Sequence, residues 1–250
     1  MEGDDYKENH FFWTEKGDRL TVIGDYLGRL PSLKLLDAKK GEYVLDAGCG
    51  AGFIARKMAL TGAKVFGCDR AEAMVQRAVE TEKRCSLGIE YKVSDITTLP
   101  YKNNQFDAVA CVAVLIHDSP EECKKFIAEA HRVLKSEGRL LISVTHPFVY
   151  QPESPNRTGK TNWAVHSPLD NKPMTENQRF NEIYTNSEGK QFSSTVWYHP
   201  IDFFPKALSE AGFSIVHEQT MYMTKEALEA CGHTGPIGYP SFYQILTKKY

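Results

Sequence analysis

Between about residues 41 and 144, short apolar runs alternate with stretches whose apolar positions recur at helical spacing. The runs at 43–47, 64–68, 89–93, 106–113 and 139–144 are short, β-branched and aromatic, and read as strands. They are nearly continuously apolar, as expected of strands buried on both faces of a parallel sheet. Helices are expected at 52–60, 71–85 and 120–134. The last has the clearest signals: Ser119 as N-cap, Pro120 at the first position, and Glu121 and Glu122 at the positive end of the helix dipole. Gly138, after Lys135, is expected to stop it. Strand–helix alternation of this kind predicts a parallel sheet with helices on both faces.

Beyond His146 the pattern dissolves. Residues 146–198 are polar and rich in proline and asparagine, too long for an ordinary connection. Tyr150, Trp163, Phe180, Tyr184 and Phe192 punctuate the stretch and favour an ordered insertion over a linker. A helix at 202–211 stopped by Gly212, a strand at 214–219 and a last strand at 241–247 complete the expectation.

Composition narrows the partners without naming one. The 250 residues carry a net charge of -2, which offers no large basic face and disfavours nucleic acid. No run approaches the roughly 20 apolar residues of a membrane span. The acidic N-terminus is no leader, and six cysteines without a CxxC pair argue against zinc or a disulfide framework and for a cytoplasmic setting. No metal site is expected, and oligomeric state is not legible.

The chemistry concentrates in Asp46-Ala47-Gly48-Cys49-Gly50-Ala51-Gly52, between the first strand and the first helix of the series. Glycines there permit positive φ and let a ligand approach backbone N–H groups. Alone, the turn suits any nucleotide-type cofactor. The next two strands sharpen it. Asp69 ends the second, about 20 positions after Asp46, where an acid can accept hydrogen bonds from ribose hydroxyls, and Asp95 follows the third in the same topological place.

With these motifs the sequence resembles the class I S-adenosylmethionine-dependent methyltransferases, in the branch similar to ubiquinone and menaquinone biosynthesis enzymes. The motifs are VLDAGCGAGFIA (44–55), VFGCDRAEAMVQRA (65–78), VSDITTLPY (93–101), FDAVACVAVLIH (106–117) and EAHRVLKSEGRLLISV (129–144). The resemblance implies a Rossmann-like α/β fold with a mixed seven-stranded sheet, mostly parallel with an antiparallel last strand, and an inserted substrate-side lid. It implies one domain over 1–250, with an N-terminal helical lid at 1–30, a cofactor-binding core at 41–145, the insertion at 146–198 and the rest of the core at 199–250. Asp46, Gly48, Cys49, Gly50 and Gly52 would form the turn at the methionine end of S-adenosylmethionine, and Asp69 would bind the ribose. Arg70 and Met74 would lie near ribose or adenine, Asp95 and Ile96 at the adenine, and Cys111 and Val112 beside the methionine moiety. Lys135-Ser136-Glu137-Gly138 departs from the family's usual proline and paired glycines, at a loop remote from the cofactor.

Methyl transfer needs alignment and exclusion of water, with a base only for a protonated acceptor. His117, His146 and His199 are the candidate catalytic or orienting groups, each with a capping or structural reading beside it. Tyr6, Phe11, Phe12 and Trp13 form an aromatic cluster that would close over the cofactor and acceptor, leaving S-adenosylhomocysteine as product. The expected acceptor is a small, partly apolar molecule. A protein or tRNA acceptor, a non-catalytic S-adenosylmethionine-binding protein and a nicotinamide-dependent oxidoreductase remain the alternatives.

Overall fold

The computed structural model describes residues 23–155, 172–185 and 191–250. Strand β1 (Tyr43–Ala47) occupies the centre of a seven-stranded sheet because its side chains from Val44 onward are buried on both faces. It is followed by α2 (Phe53–Ala59), β2 (Lys64–Asp69), α3 (Glu72–Arg84), β3 (Glu90–Val93), β4 (Phe106–Val112), α4 (Pro120–Val133) and β5 (Leu134–Thr145). Before β1 lies α1 (Leu30–Leu36), entered through a π-helical turn, Asp25–Arg29. After β5 come the antiparallel hairpin β6 (Arg179–Thr185) and β7 (Gln191–Trp197), then α5 (Phe203–Glu210), β8 (Phe213–Tyr222), α6 (Lys225–Ala230) and β9 (Pro240–Lys249).

The sheet runs β3-β2-β1-β4-β5-β9-β8, and β9 runs antiparallel to both β5 and β8 while the other pairings are parallel. The register places Asp46 between Gly67 and Ala110, and Asp69 beside Val93. The carboxyl ends of β1 to β4 therefore line one edge, the place where open α/β sheets take their ligands. The expected Rossmann-like sheet with its antiparallel last strand is present.

One expectation fails locally. The helix ends at Val133, and the chain passes directly into β5, whose pairing with β4 is irregular between Phe106 and Ala108. Gly138 caps nothing. A Cβ there would lie 2.8 Å from the Lys135 carbonyl and 2.9 Å from the Leu134 side chain, so glycine is required by close approach inside the bulged strand. At the other end of α4 the cap is as read. Ser119 Oγ accepts from Glu122 N–H at 3.3 Å, and the Glu122 carboxylate accepts from Ser119 N–H at 2.7 Å.

The first helix is tied to the last strand by a buried polar group. Gln244 on β9 is fully buried, and its Nε2 donates to the Gly28 carbonyl at 2.8 Å and the Ser32 hydroxyl at 2.9 Å. The expected N-terminal lid over 1–30 enters the described residues only from Ile23, so Tyr6, Phe11, Phe12 and Trp13 lie outside them. No described helix is long and apolar enough to cross a membrane.

Candidate functional site

The glycine turn is built by the end of β1 and held against β2. Gly48 and Cys49 both donate N–H bonds to the Cys68 carbonyl, at 2.8 and 2.9 Å, while Gly50 donates to Asp69 Oδ2 at 2.8 Å and Gly52 to the Cys49 carbonyl at 2.9 Å. These amides are thus committed within the protein, contrary to the expectation that they stand open to a ligand. The glycines serve by what they lack. At Gly48 (φ 79°) a Cβ would fall 2.3 Å from a methyl of Val114, and at Gly52 (φ 89°) one would fall 2.4 Å from the Tyr91 hydroxyl.

Three acids surround the turn in different states. Asp46 is buried and accepts from Ala55 N–H at 2.9 Å, in the first turn of α2. Burial, with the negative charge of Asp69 nearby, pushes its carboxyl up to about 7. Asp69 takes one backbone N–H on each oxygen, from Gly50 and from Ala71 at 2.8 Å, and burial raises it too. Each oxygen keeps a second lone pair, so the carboxylate can still receive two hydroxyl donors. Asp95 is exposed, with Oδ1 accepting from Thr97 N–H and Oγ1 at 2.7 Å, and Ile96 beside it is buried. Met74 is buried beneath Gly50. Arg70 reaches across to Asp118 at 3.2 Å, Val112 is nearly buried, and the Cys111 side chain is fully enclosed in the core.

One residue of this region escapes sequence reasoning. Arg29, on the π-helical turn, pairs with buried Asp25 at 2.6 Å, lies over the Phe53 ring at 5.7 Å, and acts with its charge on Asp46. The Asp25/Arg29 spacing in the sequence signals an ion pair along a helix. Nothing in it reveals where the pair is aimed.

The three histidines fall around the chain that follows β4 and β5. His117 is half-buried, and its Nδ1–H donates to the Thr195 carbonyl on the hairpin at 3.0 Å, which leaves Nε2 as the lone-pair nitrogen. Burial, helped by the charge of Arg70, drives its pKa down to about 4. His199 is buried and stacked on Phe203, ring centroids 4.8 Å apart; its Nε2–H serves the carbonyls of Leu115 and Asp118 at 3.0 and 3.1 Å. Both histidines therefore hold the turn Leu115–His117 and its cap, one from the hairpin side and one from below. His146 Nδ1 accepts from Phe148 N–H at 3.1 Å and caps the turn Pro147–Tyr150. A pocket opens beside them, lined among others by Ile116, Thr145, Tyr150, Trp197, His199 and Tyr243. Its free space is small, about 10 Å³, room for a single water. No cluster of potential metal ligands occurs among the described residues.

Comparison with known proteins agrees with this geometry. Residues 45–142 match the model of a methyltransferase domain family. A ubiquinone biosynthesis O-methyltransferase of Coxiella burnetii is 32% identical over 104 residues, 42% of this chain and 44% of that protein. A demethylmenaquinone methyltransferase of Tropheryma whipplei is 36% identical over 129 residues, 51% of this chain and 52% of that protein. The chain thus spans about half the length of the curated relatives it matches. In fold it is similar to a solved SAM-dependent methyltransferase of Methanosarcina mazei, with a TM-score of 0.63 at 20% identity over 84% of this chain and 93% of that one. The matched segment runs from β1 into β5 and contains the glycine turn and all three acids. Residues 45–142 are therefore similar to a methyltransferase domain family, set in the fold shared with solved SAM-dependent methyltransferases.

Proposed function

We propose that the protein transfers a methyl group from S-adenosylmethionine to a small-molecule acceptor by direct in-line displacement. The observation that carries this reading is the turn Gly48–Gly52, where a Cβ at Gly48 or Gly52 would clash, with Asp69 accepting from Gly50 N–H and the charge of Arg29 acting on Asp46. Such a turn admits a flat nucleoside against the backbone while the acid and the cation sort its two ends. Asp69 accepts the ribose hydroxyls, Asp95 the adenine amino group, with Ile96 and Met74 as apolar flanks. Arg29 meets the carboxylate of the amino-acid end, and Val112 with Val114 walls the methionine side. When bound, S-adenosylmethionine supplies an activated methyl group on a sulfonium centre. The protein's own part is to align the acceptor and exclude water. Burial keeps His117 neutral at physiological pH and makes it a weak base toward a protonated acceptor. The hairpin β6–β7, within the 146–198 insertion, would stand on the acceptor side.

A small-molecule acceptor is favoured by the quinone-pathway relatives, whose names concern small molecules. Calorimetry decides the class. S-adenosylhomocysteine should bind and NAD should not; the reverse would make the chain a nicotinamide-binding protein. Asp69→Ala should weaken S-adenosylhomocysteine by about 1–3 kcal/mol through loss of charge-assisted hydrogen bonds. Unchanged affinity would remove Asp69 from the site.

Arg29 gives a separate prediction. Arg29→Ala should weaken S-adenosylhomocysteine by about 1.5–3 kcal/mol, the worth of a hydrogen bond to a charged group. Methylthioadenosine, which lacks the amino-acid end, should bind the variant and the natural chain alike. Equal losses for both ligands would mean that Arg29 only supports the fold.

A further inference from the structure

Asp118 is a buried acid that neither the glycine turn nor the three histidines account for. Its side chain is only 5% exposed, and its Oδ1 accepts from Arg70 Nη1 at 3.2 Å. The other oxygen, Oδ2, is buried without a hydrogen-bond partner among the described residues. Burial raises the carboxyl to about 6, against the charge of Arg70 and with those of Glu122 and Asp95, so near neutral pH it is mostly ionised. Breaking such a pair would leave a buried charge uncompensated. The Arg70 guanidinium is therefore tied to Asp118, although its own side chain is half in solvent.

The pair joins two loops of the site. Arg70 follows Asp69 at the end of β2, inside the turn in which Asp69 Oδ1 accepts from Ala71 N–H at 2.8 Å. Asp118 follows the turn Leu115–His117 beyond β4, and its carbonyl accepts from His199 Nε2 at 3.1 Å. Because β1 lies between β2 and β4, the two loops flank the strand that carries the glycine turn, two strand spacings or about 10 Å apart. A guanidinium has about five N–H donors, and the contact with Asp118 uses one of them. The rest are held one residue from the acid assigned to the ribose.

We propose that Asp118 is a positioning residue for the adenosine half of the cofactor, acting through Arg70, whose remaining donors it aims at acceptor atoms of ribose and adenine. This rests on the reading of the glycine turn as an S-adenosylmethionine site. S-adenosylhomocysteine and methylthioadenosine, which share that half, are the probes, titrated into the full chain by calorimetry. Arg70→Met should weaken both ligands about tenfold, as expected for a lost hydrogen bond from a charged group, and Asp118→Asn both about fivefold. Arg29→Ala, by contrast, spares methylthioadenosine. The double variant should lose no more than Arg70→Met alone, because Asp118 has no route to the ligand once Arg70 is gone. A residue that merely supported the fold would add its loss to that of Arg70. Additive losses therefore overturn the proposal, as does either single variant that binds methylthioadenosine with natural affinity. If Asp118→Asn does not fold, Arg70→Met alone still decides by that second criterion. Failure of the natural chain to bind S-adenosylhomocysteine would instead strike the S-adenosylmethionine reading itself.

Discussion

Gly48→Ala is expected to lower affinity for S-adenosylhomocysteine by about a hundredfold, roughly 2.7 kcal/mol, and to lower the unfolding temperature as well. Two costs combine. Gly48 sits at φ 79°, a conformation that costs a side-chain-bearing residue about 1–3 kcal/mol. The added Cβ would also stand 2.3 Å from one Val114 methyl and 2.9 Å from the other, and overpacking of this kind costs about 1–3 kcal/mol more. Val114 is β-branched and stiff at χ1, so the turn must give way. Moving it disturbs the bonds from Gly48 and Cys49 to the Cys68 carbonyl and from Gly50 to Asp69, which together shape the ribose end. Gly88→Ala is the control. Gly88 has the same φ, 79°, but open space around its Cβ, so that variant should lose stability and keep its ligand affinity. Calorimetry and thermal unfolding of both variants test the point, and Gly48→Ala binding with natural affinity would refute it.

Stability should fall as pH rises from about 6.5 to 8. Asp46 and Glu182 are held protonated by burial up to about 7 and 8, against ordinary values of 3.8 and 4.5. In this window the unfolded chain has released both protons while the folded chain still holds them in part. Folding therefore takes up protons, and raising the pH opposes it. The contribution of each acid is complete below its ordinary value and is lost as pH passes its folded value. Below about pH 6.5 the trend is partly offset. His117, driven down to about 4, stays neutral in the fold while its unfolded counterpart takes up a proton, so it contributes the opposite slope there. At about 1.4 kcal/mol per pH unit for each group, the loss between pH 6.5 and 8 should reach about 2–3 kcal/mol, most of it from Glu182. Thermal melts at the two pH values measure it. Glu182→Gln should flatten the decline, and an equally steep fall in that variant would exclude Glu182 as its source.

What could be read from the sequence was whatever local pattern dictates. β1 falls on the expected residues 43–47 and α4 ends one residue short of the expected 134, because both are bounded by strong signals: a buried apolar run before a glycine turn, and a capping box. The acids at the ends of β1 and β2, and Asp95 just past β3, were legible for the same reason. The hairpin was not. β7 reads QFSSTVW, where serines dilute the alternation, and β6 reads RFNEIYT, where a glutamate would ordinarily face water. Glu182 is buried although its strand reads as half polar, a tertiary fact with no local trace. Arg29 escaped similarly, since its target lies beyond the helix that carries it. Gly138 was misread because a glycine after a helical run suggests a stop, whereas here it admits a backbone crossing inside a bulge.

The place of β9 in the sheet has a consequence for how the chain is made. The strand that comes last in chain order is interior, paired with β5 on one side and β8 on the other. During vectorial synthesis β8 is therefore complete before it has a partner, and the outer flank of β5 stays uncovered along Leu140, Leu141 and Ile142, which are fully buried in the finished protein. Two open edges coexist until residues 240–249 emerge, and open edges are where nascent chains pair with each other. Gln244 completes the insertion by bonding to Gly28 and Ser32, so this segment also seats the helix that precedes β1. A ribosome pause just before residue 240 would hold the molecule in its most aggregation-prone form.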